Sequence, residues 1–159
     1  MSRNSEIIVW SNTFACNIKI IDDQHRHLVD LVNKMFNHVT GDEDEERLYL
    51  KNVLQEAVRY IKIHFATEEK IMLATRFAGY IEHKEAHQNF VYNVANNIKS
   101  LISGKRLTLL SFSKFLKNWI LTHIAVMDKQ YFDYIRRIAT RKANGKLTVS
   151  PGDLLIRHI

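Results

Sequence analysis

His64 and Glu68 stand four residues apart, as do His83 and His87, while Asp128 follows His123 by five and His25 stands earlier in the chain. Imidazole nitrogens and carboxylate oxygens are good ligands for transition-metal ions. On a helix, residues four apart lie one above the other on the same face. Both four-apart pairs interrupt stripes that are otherwise apolar. Leu50, Leu54, Ala57 and Ile61 lead to the first pair, with Ile71 beyond it, and Phe90, Val94, Ile98 and Leu101 follow the second. His123 stands in a similar stripe with Phe112, Leu116 and Trp119, and His25 precedes Leu28 and Leu31. Burying a polar group without a partner costs a few kcal/mol, roughly, and more for a carboxylate. Seven such groups left unsatisfied would exceed a typical domain stability of ~5–15 kcal/mol. They must therefore satisfy one another or bind something.

A metal centre is the reading these residue types favour. Five imidazoles and two carboxylates are too many for one tetrahedral zinc. They suit two six-coordinate ions that share bridges. Three histidines, two bridging carboxylates and a bridging oxygen fill one ion. Two histidines and the same bridges leave the other ion one open position, where a small ligand would bind. Residue types alone leave iron, manganese and zinc open.

Four helices must position these groups. Apolar periodicity predicts the first over 22–39, capped by Asp22 or Asp23. The second is predicted over 45–74, behind the acidic run Asp42–Glu46 that suits a helix start, and the third over 81–103, stopped by Gly104. The fourth is predicted over 108–141. Short connections between long amphipathic helices imply an all-α, antiparallel, up-down-up-down four-helix bundle. The domain is expected over residues 1–141, with an N-terminal arm at 1–20 and the bundle at 21–141; residues 142–159 form a C-terminal extension. The arm carries Trp10 and Phe14 and must pack somewhere to be ordered. The extension carries an apolar Leu154-Leu155-Ile156, which argues for docking on the bundle or on a partner protein.

Composition narrows the classes. The chain has 159 residues, enough for one domain, and its single proline and five glycines favour long helices. No apolar run reaches the roughly 18–20 residues that cross a bilayer, so no membrane association is expected. No signal peptide is visible, and the single cysteine, Cys16, excludes an intramolecular disulfide framework; a cytoplasmic location is the expectation. The net charge of +6 raises nucleic acid as a partner, yet Arg136, Arg137, Arg141, Lys142 and Lys146 gather near a helix end, where they complement the dipole. No nucleic-acid motif accompanies them, so none is expected as a partner.

Four motifs in order resemble the hemerythrin family over roughly residues 10–137. They are Trp10 with Ile21-Asp22-Asp23-Gln24-His25; His64-Phe65-Ala66-Thr67-Glu68-Glu69; Tyr80-Ile81-Glu82-His83 with His87 and Phe90; and Trp119 with His123-Ile124 and Asp128. The resemblance implies a centre of two non-haem Fe ions, bridged by carboxylates and by an oxo or hydroxo group. It implies that His83, His87 and His123 hold the coordinatively full iron. His25 and His64 would hold the iron with the open position, and Glu68 and Asp128 would bridge. The implied function is reversible binding of O2, for storage, delivery or sequestration, and not enzymatic turnover; NO and small anions are further candidate ligands. The alternative is a sensor of O2, NO or redox state that signals to a partner through the C-terminal extension.

A dry apolar lining keeps water and protons from bound O2. Leu28, Trp119, Ile124 and Val126 are the candidates for it. The family usually carries leucine two residues before the bridging aspartate, where this chain has Val126. The smaller side chain is expected to loosen the pocket and to speed autoxidation relative to Val126→Leu. Tyr131, three residues beyond Asp128, is expected to be packing.

Overall fold

The structure is a computed structural model that describes residues 6–103 and 107–144, with side chains through 140. Every regular element among these residues is helical: α1 Lys19–Asn37, α2 Glu43–Thr75, α3 Tyr80–Ile102, α4 Leu109–Thr122 and α5 Lys129–Asn144. A six-residue π turn, His123–Asp128, joins α4 to α5 with helical backbone on both sides, so the three together make the fourth rod of a four-helix bundle. The fourth rod runs beyond the expected end at Arg141. Gly104 and Leu154-Leu155-Ile156 lie outside the described residues.

Local chemistry sets the helix ends. Asp42 caps α2, its carboxylate accepting from the Asp44 and Glu45 N–H groups at 3.0 Å each. The Glu46 carboxylate reaches back to the Thr40 and Gly41 N–H groups, which closes the turn from α1. Gly41 there has φ +89°, a conformation that costs other residues more. Thr108 and Ser111 form a reciprocal capping box at α4. At α1 the expected cap is displaced. The helix starts at Lys19, and Asp22 lies in its first turn, accepting from the Cys16 and Asn17 N–H groups at 2.7 and 3.0 Å. A carboxylate one turn inside the helix does a cap's work for the chain entering it.

The N-terminal arm packs on α1 through Asn33, which is buried. Its Oδ1 accepts from the Ile7 and Ile8 N–H groups at 3.1 Å each, and its Nδ2 donates to the Ile8 carbonyl at 2.9 Å. Ile8 and Phe14 are buried in the core, and the Arg26 guanidinium lies 4.5 Å from the Trp10 ring centre.

Two apolar clusters fill the bundle, and the order of residues shows what separates them. One contains Leu28 to Met35 of α1, Leu50 to Phe65 of α2, Phe90 to Leu101 of α3 and Leu109 to Ile124 of the fourth rod. The other contains Ile18 and Ile21, then Ile71 and Met72, then Tyr131, Phe132 and Ile135, with Tyr80 packed against it. On every rod the histidines and carboxylates fall where one group gives way to the other, with Phe65 and Ile124 of the first cluster standing directly after His64 and His123. A polar layer is thus clamped between two dry ones.

Candidate metal centre

Each rod delivers its polar groups at the same level. α1 supplies His25, α2 supplies His64 and Glu68, α3 supplies His83 and His87, and the π turn supplies His123 and Asp128. All seven are buried, none more than 2% exposed. On a regular helix, residues five apart point to different sides. The π turn, with its i→i+5 hydrogen bonding, brings His123 and Asp128 round to one side. The periodicity of the sequence does not reveal this wide turn. A ligand pair spaced by five, where the others are spaced by four, is its one visible sign.

The side chains face one another at short range. Asp128 Oδ1 lies 3.2 Å from His83 Nε2 and 3.1 Å from His123 Nε2, and its Oδ2 lies 3.3 Å from His25 Nε2. Glu68 Oε2 lies 3.2 Å from His87 Nε2, 3.6 Å from His64 Nε2 and 3.7 Å from His83 Nε2. Two overlapping ligand sets result. One is Glu68, His83, His87 and His123; the other is His25, His64, Glu68 and Asp128.

Mutual pairing does not satisfy these groups. His25 Nε2, His64 Nε2, His83 Nε2, Glu68 Oε2 and both Asp128 carboxylate oxygens are buried with no hydrogen-bond partner. Such atoms cost about 1–3 kcal/mol each, so the six together rival the whole stability of a domain, ~5–15 kcal/mol. Cations placed among them would turn every one into a ligand. The donor set, imidazole nitrogen and carboxylate oxygen, fits iron.

The electrostatics of the metal-free cluster are those of a cation site. Burial and the neighbouring Asp128 push Glu68 up, but the His64, His83 and His87 rings that face it outweigh them and hold it below the usual carboxylate range. Burial likewise opposes ionisation of Asp128, and His123, His25 and His83 hold it well below that range. Burial would lower His83, yet Asp128 and Glu68 raise it to about 9. His64 goes the other way, to about 4, because burial dominates. A neutral His64 is ready to accept a metal ion.

Outer partners aim the rings. His25 Nδ1 meets the Phe14 carbonyl at 3.3 Å, so the arm helps to orient it. His64 Nδ1 meets Gln24 Oε1 at 3.0 Å, and His87 Nδ1 meets Glu69 Oε1 at 3.2 Å. With Nδ1 engaged as a donor, Nε2 is free to coordinate. The Tyr131 hydroxyl donates to Glu68 Oε1 at 2.8 Å, a contact that goes beyond the packing role expected of it. Gln24 and Glu69 stand beside ligands in the sequence. Each reaches a histidine of a neighbouring helix, which adjacency alone does not disclose.

The lining needs one correction. Leu28 and Ile124 are buried, and Trp119 stacks on His123 with ring centres 4.4 Å apart. Val126, in contrast, is 56% exposed. It lies midway along the π turn, between two residues that point inward, and the turn carries it outward. Val126 is therefore not part of the lining, and the expectation that it loosens the pocket falls with it. Phe65, unassigned from sequence, takes a place in the wall: it stacks on His87 at 3.7 Å and lies 5.5 Å from Trp119.

Among the described residues, no helix is long and apolar enough to cross a membrane. A family model described as the hemerythrin HHE cation binding domain matches residues 16–135. The bacteriohemerythrin of Methylococcus capsulatus is 28% identical over 127 residues, covering 79% of this chain and 94% of that protein. Hemerythrin subunit 2 of Golfingia vulgaris is 30% identical over 123 residues, covering 77% and 89%. A solved wild-type hemerythrin superimposes with a TM-score of 0.72 at 28% identity, covering 80% of this chain and 96% of that one.

Proposed function

The chain belongs to the hemerythrin family, whose members bind O2 at a non-haem di-iron centre, and from that premise we propose that it binds O2 reversibly, for storage, delivery or sequestration. The observation that carries this reading is the set of six buried, unpartnered ligand atoms contributed by all four rods.

His83, His87 and His123 would hold one iron, and His25 and His64 the other. Glu68 and Asp128 would bridge, since each carboxylate faces histidines of both sets. When bound, a pair of ferrous ions would supply the two electrons that reversible O2 binding calls on. The protein does the rest. Neutral imidazoles outnumber carboxylates, which limits the anionic charge placed on the ions and disfavours the oxidised states that would consume the ligand. Gln24, Glu69 and the Phe14 carbonyl fix the ring orientations. Leu28, Phe65, Trp119 and Ile124 exclude water, so that nothing nearby delivers stray protons. The Tyr131 hydroxyl neutralises part of the charge on Glu68. The role is binding, not turnover.

The test is a visible spectrum of the reduced, iron-loaded protein, recorded in air and then after degassing. A colour that appears in air and fades on degassing over several cycles supports reversible binding. Colour that persists after degassing, or steady O2 consumption with an electron donor, refutes it.

A further inference from the structure

A second concavity lies away from the metal centre, along the outer groove between α2 and the C-terminal end of α3. It encloses about 910 Å³ and is lined by Leu54, Val58 and Ile63 of α2 and by Ile98, Leu101 and Ile102 of α3. Small-molecule sites span roughly 300–1,000 Å³ and combine apolar walls with a few charged groups. The charged groups here are Arg47, Lys51, Arg59 and Lys62, all cations, and no carboxylate joins them in the lining. Lys51, Arg59 and Lys62 form no ion pair among the described residues. Glu56, the nearest acid in sequence to Arg59, is turned to His27 at 3.4 Å. Arg47 is held in place by its hydrogen bond to the Leu101 carbonyl at 3.3 Å.

Along α2 the cations of the lining fall in two pairs with an uncharged stretch between them. Arg47 and Lys51 form the first pair and Arg59 and Lys62 the second, about 22 Å apart along the helix at the outermost by helix rise. The middle is Leu54, Gln55 and Val58, with no charge. Two apolar side chains stand open at the rim, Ile63 at 51% and Ile102 at 79% exposure. A partner helix with an acidic stripe would place negative charge along the whole length, where Gln55 and Val58 offer it nothing. A ligand with an apolar body and an anionic end matches both parts of the groove.

We propose that this groove binds a single-chain anionic amphiphile, of the long-chain fatty carboxylate class, its chain along Leu54, Val58 and Leu101 and its carboxylate on one of the two cationic pairs. None of the groove residues is a ligand of the metal centre, so the proposal is independent of iron loading.

The experiment titrates the full-length, iron-loaded protein with monomeric laurate and palmitate by calorimetry, and with primary alcohols of equal chain length. One carboxylate per chain is expected, with the alcohols at least tenfold weaker. Charge reversal at the exposed positions, Lys51→Glu, Arg59→Glu and Lys62→Glu together, should weaken carboxylate binding tenfold or more. Circular dichroism and iron content should stay unchanged in that variant. Absence of saturable binding, equal binding of the alcohols, or full binding by the charge-reversed variant overturns the proposal. So does binding confined to an amphipathic Glu/Leu peptide or to phosphatidylglycerol vesicles, which would assign the face to a partner helix or to a membrane surface.

Discussion

Tyr131→Phe removes one oxygen atom from the least exposed part of the molecule. The ring is fully buried between Phe132, Phe77 and His83, so phenylalanine keeps the packing. The hydroxyl donates to Glu68 Oε1 at 2.8 Å, and the next group facing that oxygen is His25 Nε2 at 3.9 Å. Burial, and then Glu68 and Asp128, push the phenol well above its ordinary range, so it remains a donor at every working pH. A hydrogen bond to a charged group contributes about 1.5–3 kcal/mol. For a chain of this size each kcal/mol corresponds to roughly 2–4 °C. The metal-free Tyr131→Phe protein should therefore melt about 3–12 °C lower, a range that follows from multiplying those two figures. Because this hydroxyl orients a carboxylate proposed to bridge the irons, iron should also be lost to a chelator about 10–100-fold faster. Tyr134→Phe is the control: that hydroxyl donates to the Thr75 carbonyl at 2.8 Å, remote from the ligands, and its loss should leave iron release unchanged. Calorimetric melting of the metal-free proteins and stopped-flow chelation of the loaded ones give both numbers. A Tyr131→Phe protein with the wild-type melting temperature and chelation rate would refute the reasoning.

Other outcomes follow from the same structure. Asn33→Ala strips the partners from the Ile7 and Ile8 N–H groups and should cost about 2–3 kcal/mol; faster proteolytic cleavage within residues 6–16 and a lower melting temperature would be seen. Val126→Leu should leave the autoxidation rate unchanged, because that side chain faces solvent, whereas Ile124→Ala should raise it by opening the buried wall. In the metal-free chain Asp128 and Glu68 raise His83 from an ordinary 6.5 to about 9 against the pull of burial. Its protonated form therefore contributes stability that is complete below pH 6.5 and is lost as pH rises through 9. Melting temperatures of the metal-free protein should fall across that interval, and those of the iron-loaded protein, where Nε2 would be coordinated, should not. Burial, followed by Asp22, pushes the Cys16 thiol up, so a disulfide reagent at pH 8 should label it only after unfolding.

The rods and the inward polar layer were legible because burial penalises isolated polar groups: seven of them interrupting apolar stripes needed a common explanation. The same logic gives the level of the polar layer on each helix. What it missed follows from geometry that periodicity does not carry. A period of 3.6 leaves Asp128 off the face of His123, and the π turn that restores it also turns Val126 outward. Periodicity puts the helix boundary, and so the cap, at Asp22 or Asp23, yet Asp22 acts from within the first turn. Gln24 and Glu69 orient histidines on other helices, a relation between chain segments 40 and 18 residues apart. The grouping of the outer groove's cations about an apolar floor becomes visible only when α3 is laid beside α2.

If these seven residues hold two irons, anomalous diffraction at the iron edge from iron-loaded crystals will locate both beside them. Two anomalous peaks are expected, one among His83, His87 and His123 and one beside His25 and His64, with Glu68 and Asp128 between them. A single peak, or iron bound anywhere else on the chain, would contradict that assignment.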